Sequence, residues 1–212
     1  MAVRGWKYLL LLPAVALIGC DATGPGAGQA RVFLSRDNVS AQALEGTDLV
    51  TAEGALTMAA IDSIWVTVTS VEVVPAGNDS TSGWQALKLD SGSVSRINLL
   101  ALPVADSARL AQGALEEGKY DHIRLRINDS ATIVLKQDVS LSTGTTLTKG
   151  SYPLRIPSGQ QTGLKIKTDN FVMGNDSSKA VTLVFDAASS VGNVIVTGNG
   201  QFQMSPVLRS RH

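Results

Sequence analysis

The chain has 212 residues with 18 basic and 18 acidic side chains, so its formal charge is zero. Charged residues are 17% of the chain, below the roughly 25% of an average soluble domain, and a neutral balance without blocks of like charge argues against a nucleic-acid binder. One cysteine excludes an internal disulfide framework or a cysteine-built metal cage, and two histidines leave little material for a histidine-rich metal or catalytic site.

Arg4 and Lys7 precede a stretch from Tyr8 to Ile18 that is apolar but for one phenol. It falls short of the about 20 residues of a membrane-spanning helix and has the length of a secretory hydrophobic region. Leu17-Ile18-Gly19-Cys20 follows at once. It resembles a bacterial lipobox, with Leu three places before the cleavage point, a small residue just before it and Cys just after. The expectation is a lipoprotein signal peptide over residues 1–19, a diacylglyceryl thioether on Cys20 and acylation of the new amine. An ordinary signal peptide with a chance cysteine is the alternative, and the only Cys of the chain standing where a lipobox needs it speaks against that. Two or three acyl chains, at about 0.8 kcal/mol per buried methylene, anchor stably. No second apolar run approaches 18 residues, so the lipid on Cys20 is the expected membrane attachment and the cell envelope the expected location. Loss of residues 1–19 leaves 16 basic against 18 acidic residues, too small an imbalance to predict a charged partner. Asp21 is an acid that in some Gram-negative bacteria keeps a lipoprotein in the inner membrane, so the choice of membrane stays open.

Residues 20–29 read as the lipidated cysteine and a flexible tether, with three glycines and a proline between Asp21 and Gln29. One folded domain is expected over residues 30–210. Val, Ile and Thr number 21, 10 and 16, a β-leaning set. Ala30–Ser35 reads as a first strand, and residues 36–60 as a long loop or short helix. Ile64, Val66 and Val68 share a strand face, and the phase then flips to Val71 and Val73, which predicts a β-bulge or bend near Ser70. Trp84–Leu89 and Ser95–Leu100 read as strands, and Val104–Ala111 as a helical turn or a strand. Lys119–Asn128 alternates most cleanly, with Ile123, Leu125 and Ile127 inward. Further strands are expected at Ala131–Lys136, Thr145–Thr148, Tyr152–Ile156, Gly163–Thr168, Lys179–Asp186, Asn193–Thr197 and Gln201–Leu208. The loops at residues 77–80 and 174–177 read as turns. About ten short strands with Gly, Asn, Asp and Ser between them argue an all-β sandwich or barrel.

Several segments resemble the bacterial and archaeal family filed as domain of unknown function 4382. They are Asp62 to Val73, Gly118 to Leu125, Ile156 to Lys165, and Phe185 to Val191 running on to Gly198-Asn199-Gly200 and Ser205-Pro206-Val207. The resemblance covers roughly residues 30–210. It implies secreted proteins and lipoproteins with a single β-sandwich, transthyretin/carboxypeptidase-regulatory-like or Ig-like, and no assigned activity, so it carries over no catalytic residue. Arg36-Asp37-Asn38 departs from the family's Asp-Ala-Pro after the first strand, which puts any shared site on that loop in doubt.

Catalytic patterns are weak. Residues Gly113 to Tyr120 nearly match a phosphate-binding loop, but Tyr120 stands where Ser or Thr would hold Mg²⁺, and a strand follows instead of a helix. His122 is the one candidate base, since Cys20 is committed to lipid and His212 is terminal, and no nucleophile elbow accompanies it. Asp62, Asp90, Asp121, Asp129, Asp169 and Asp186 are acid–base candidates only by type. Asp186 stands out at the end of an apolar strand, where backbone capping is the leading reading over Ca²⁺ ligation or acid chemistry. No enzyme, cofactor or metal is therefore expected.

By period two, Tyr120, His122, Arg124 and Arg126 share one outward face, and Lys165 and Lys167 share another. Adjoining strands would merge these into a basic shelf with an aromatic at one end, able to bind an acidic glycan or a partner's carboxylates. Trp65 and Trp84 read either as sugar-stacking platforms or as parts of the core rim. The expected function is a non-enzymatic, lipid-anchored envelope module that binds a polysaccharide or an envelope protein. The alternative is an assembly subunit that pairs through strand edges.

Overall fold

The computed structural model describes residues 26–38, 48–51, 54–78, 83–90, 96–141, 144–157, 159–196 and 201–211. The expected signal peptide, the Cys20 expected to carry lipid, the residues up to Pro25, and His212 lie outside the described residues. The strands in chain order are β1 (Ala27–Arg36), β2 (Asp48–Thr51), β3 (Gly54–Thr57), β4 (Ile61–Val66), β5 (Val68–Pro75), β6 (Gln85–Leu89), β7 (Ile97–Asn98), β8 (Ala108–Glu116) and β9 (Gly118–Ile127). There follow β10 (Thr132–Leu135), β11 (Val139–Ser140), β12 (Thr146–Leu147), β13 (Gly150–Arg155), β14 (Leu164–Met173), β15 (Ser178–Phe185), β16 (Ile195–Val196), β17 (Phe202–Gln203) and β18 (Leu208–Arg211). One short helix, α1 (Ala187–Gly192), separates β15 from β16.

The described residues form an all-β fold, in an arrangement compatible with a sandwich or barrel. An eight-stranded sheet runs β14-β9-β5-β6-β8-β1-β15-β18, and a six-stranded sheet runs β16-β17-β13-β10-β4-β7. The large sheet curls until its two ends meet: Ser210 Oγ of β18 donates to the Lys167 carbonyl of β14 at 3.1 Å. Both sheets feed one core, with Ile64 and Ile133 from the smaller sheet and Val71, Leu125 and Leu183 from the larger.

The phase flip after Val68 marks a corner. β4 belongs to the six-stranded sheet and β5 to the eight-stranded one, so the chain changes sheets at Thr67. The register of β5 against β9 slips between Val68 and Ser70, close to the expected bulge. A strand that turns a corner buries both its faces in succession, which gives the buried run Ile64, Val66, Val68, Val71 and Val73.

Several expectations need correction. β1 opens at Ala27, so Gln29 and Gly28 are not tether: they pair with β8 as Gln29↔Ala114 and Gly28↔Leu115. Gly28 is tightly packed, since a Cβ there would lie 2.7 Å from the Gly174 carbonyl oxygen. Residues 36–60 contain the β2–β3 hairpin. The segment Val104–Ala111 enters β8, which runs on to Glu116; its Ala, Gln and Gly residues have weak strand propensity, which hid it. The near-match to a phosphate loop is the β8–β9 hairpin. Residues 201–208 split into β17 and β18, and α1 was not expected.

Core packing makes a direct test. Ile123 is fully buried, so Ile123→Ala is expected to lower unfolding free energy by about 2–5 kcal/mol. The exposed Lys119→Ala on the same strand should stay within about 0.5 kcal/mol. Urea midpoints measure both, and equal effects would reject this placement of the two faces.

Candidate functional site

β9 lies between β5 and β14, so the strand adjacency that sequence parity leaves open is realised. Lys165 sits directly opposite Arg124, and Lys167 opposite His122. On the other side Glu72 faces Arg124 and Ser70 faces Arg126. Directly opposed residues of an antiparallel pair project to the same side with Cβ atoms about 5 Å apart. Glu72, Arg124 and Lys165 therefore form one cross-strand row, flanked by Arg126 and by His122 with Lys167.

Glu72 organises this row. Arg124 Nε donates to its Oε2 at 2.6 Å, and Arg124 Nη2 bonds the same oxygen. Its Oε1 accepts from Arg126 Nε at 2.9 Å and from Ser70 Oγ at 2.8 Å. The Glu72 and Arg124 side chains are only 12% and 10% exposed. Burial pushes the Glu72 carboxyl up, but the hydrogen bonds from Ser70, Arg124 and Arg126 outweigh it and hold the group below its ordinary 4.5. The Arg124 guanidinium also lies over the Trp84 ring, 4.1 Å from its centroid.

The segment after β13 closes over the two arginines. Arg126 Nη1 donates to the carbonyls of Gln160 and Gln161 at 3.2 and 2.9 Å, and the Ile127 N–H donates to Gly159 at 2.9 Å. Gly163 has φ +70°, and a Cβ there would lie 2.6 Å from Arg124 Cγ and 2.9 Å from the Leu125 carbonyl oxygen. Only glycine fits this backbone conformation and close approach.

The six sequence candidates thus divide. Lys165 and Lys167 are exposed, Arg126 is partly exposed and tied to Glu72 and the loop, and His122 is partly exposed with Nδ1 2.8 Å from Asp121 Oδ1. Arg124 is on the shared face but is buried and engaged by Glu72, so it is not the exposed cation expected. Tyr120 does not belong to the outward face. Asp121 is an extra residue in β9 against β5, which turns Tyr120 inward onto Phe171, ring centroids 5.3 Å apart. Burial, with the Glu116 charge adding to it, pushes the Tyr120 phenol up. Glu72 is the residue sequence reading passed over, although its place between Val71 and Val73 puts a carboxylate on an outward face.

The other candidates are dispersed. Asp186 caps α1, accepting from the Ser189 N–H at 2.8 Å, and binds Arg209 at 2.5 Å. Asp90 bonds Arg109. The Trp65 ring carries Arg96, 5.0 Å from its centroid. Among the described residues no group of three or more His, Cys, Asp or Glu side chains is placed to hold a metal ion.

A family model described as Domain of unknown function (DUF4382) matches residues 50–206, and the chain belongs to that family. No curated protein and no solved structure matches the chain. Three of the segments that carry the family resemblance meet at the Glu72 cluster, contributing Glu72, Arg124 and Gly163.

Glu72→Gln leaves Arg124 without its counter-charge and is expected to cost about 3 kcal/mol. Because the folded carboxyl titrates below its unfolded value, this stabilisation is present above about pH 4.5 and is lost as pH falls through the folded value. Urea unfolding of wild type and variant should therefore differ at about pH 6, and the difference should narrow as pH falls below about 4.5. A gap that stays constant over that range would refute the ionic role of Glu72.

Proposed function

We propose that this protein is an exported, lipid-anchored component of the cell envelope that binds an acidic polysaccharide through the β9–β14 face and catalyses no reaction. Export and anchoring rest on the lipobox around Cys20. Binding rests on one observation: Lys165 and Lys167 stand exposed in register with β9, beside arginines that Glu72 and the loop hold in place. Charges on a rigid sheet lose little entropy when an anionic chain docks. Carboxylates of an envelope protein offer the same chemistry, and the binding test separates the two.

An assembly role has a narrower basis. Ile195 on β16 is 50% exposed at an end of the six-stranded sheet. That sheet's terminal strands, β16 and β7, are two residues each, and such short edges are poor templates for pairing. The ends of the larger sheet face each other.

Two measurements test the reading. Cys20→Ser should lose incorporation of labelled palmitate and leave the detergent phase on partitioning, and unchanged labelling would remove the anchor. Binding of the mature protein to immobilised alginate should weaken as the Debye length falls from about 10 Å at 0.1 M salt to about 3 Å at 1 M. The Lys165→Glu, Lys167→Glu variant should abolish it. Salt-independent retention on alginate, or retention only of envelope proteins, would reject the polysaccharide reading.

A further inference from the structure

A concave surface lies along β13, beside the loop that Arg126 holds. Two adjoining hollows, of about 420 and 310 Å³, share Pro153 and Arg155 of β13. Both volumes fall in the range of small-ligand sites, about 300–1,000 Å³. The first is bounded by Asp129 and the Gln160-Gln161 turn, and the second by Gln201 and Gln203. We propose that this groove is a binding site for a neutral oligosaccharide, separate from the cationic face.

The lining chemistry selects the ligand. A sugar hydroxyl is donor and acceptor at once, and an amide side chain offers both partners. Asp129 is an acceptor and Arg155 a planar donor, and each is exposed. Carboxylate and guanidinium can each engage two neighbouring hydroxyls. One acid and one base leave the groove with no net charge, so it favours an uncharged polyol over a polyanion. Pro153 adds a flat apolar patch between the polar groups.

The wall is organised before any ligand arrives. Arg126 holds the carbonyls of Gln160 and Gln161, and Gly159 accepts from Ile127 and donates to the Ile156 carbonyl at 3.2 Å. A wall fixed from behind reduces the ordering cost of binding.

An extended peptide fits less well. The Leu154 N–H donates to Ala131 on the β10 side at 2.9 Å. By alternation Pro153 faces the opposite edge, and there it has no N–H to give. At the next positions β17 already occupies that edge, pairing Leu154↔Phe202 and Arg155↔Gln203. Strand addition along β13 therefore lacks a donor and then meets an existing strand.

The experiment uses the mature chain and isothermal titration with four neutral hexasaccharides, of β-1,4-glucose, α-1,4-glucose, β-1,4-mannose and β-1,4-N-acetylglucosamine. At least one should bind with little dependence on salt. Asp129→Ala, Arg155→Ala and, separately, Gln160→Ala, Gln203→Ala should weaken it by about tenfold or more, as expected for lost charged or paired hydrogen bonds. The Lys165→Glu, Lys167→Glu variant should bind the neutral sugar as wild type does, even if alginate binding proves absent. Failure of all four sugars to bind, full affinity in both groove variants, or loss confined to the lysine variant would each overturn the proposal.

Discussion

The largely buried carboxylate of Glu72 is the constraint around which the outward face is arranged. A charge removed from water must be met by donors or it becomes neutral, at a cost of several kcal/mol. Here the donors come from three places in the chain: Ser70 two residues away, and Arg124 and Arg126 on the neighbouring strand. Meeting that need fixes the register of β5 on β9 by charge as well as by packing. It also determines what the arginines have left to offer. Arg124 is consumed, stacked beneath Trp84 and pressed against Gly163. Arg126 gives its Nε to Glu72, and its Nη1 holds the loop after β13.

That loop has two sides. Toward β9 it covers the guanidinium groups, and away from β9 it forms a wall of the groove along β13. A single ion cluster thus underlies both the cationic face and the polar hollow. The lysines of β14 stand exposed in register with Arg124 and His122.

The same economy governs the core. A corner at Thr67 lets one continuous segment line both sheets, and an extra residue at Asp121 returns Tyr120 to the interior. Opposite Asp121, β14 carries Thr168, Asp169 and Asn170, the last with φ +45°, so the bulge is accommodated from both sides. Each bulge reverses the inside–outside pattern along its strand.

The sequence by itself determined the strand class, most strand positions, and the inward set Ile123, Leu125 and Ile127, because period-two burial is local information. It also located the break near Ser70, since a reversed phase within one apolar run has few other causes. Face membership of Arg124, Arg126, Lys165 and Lys167 was legible for the same reason. Tertiary structure decided what pattern cannot encode. Which strands adjoin depends on long-range pairing, and only that placed Lys165 against Arg124 and Glu72 on its other side. It decided that Tyr120 points inward, because the bulge at Asp121 lies within an otherwise clean alternation. The β2–β3 hairpin and β8 were hidden because Ala, Gly and Gln have weak strand preference and acquire it from their neighbours. The groove along β13 was invisible for the deepest reason: its walls come from residues 129, 155, 160 and 201, which only the closed arrangement of the sheets brings to one place.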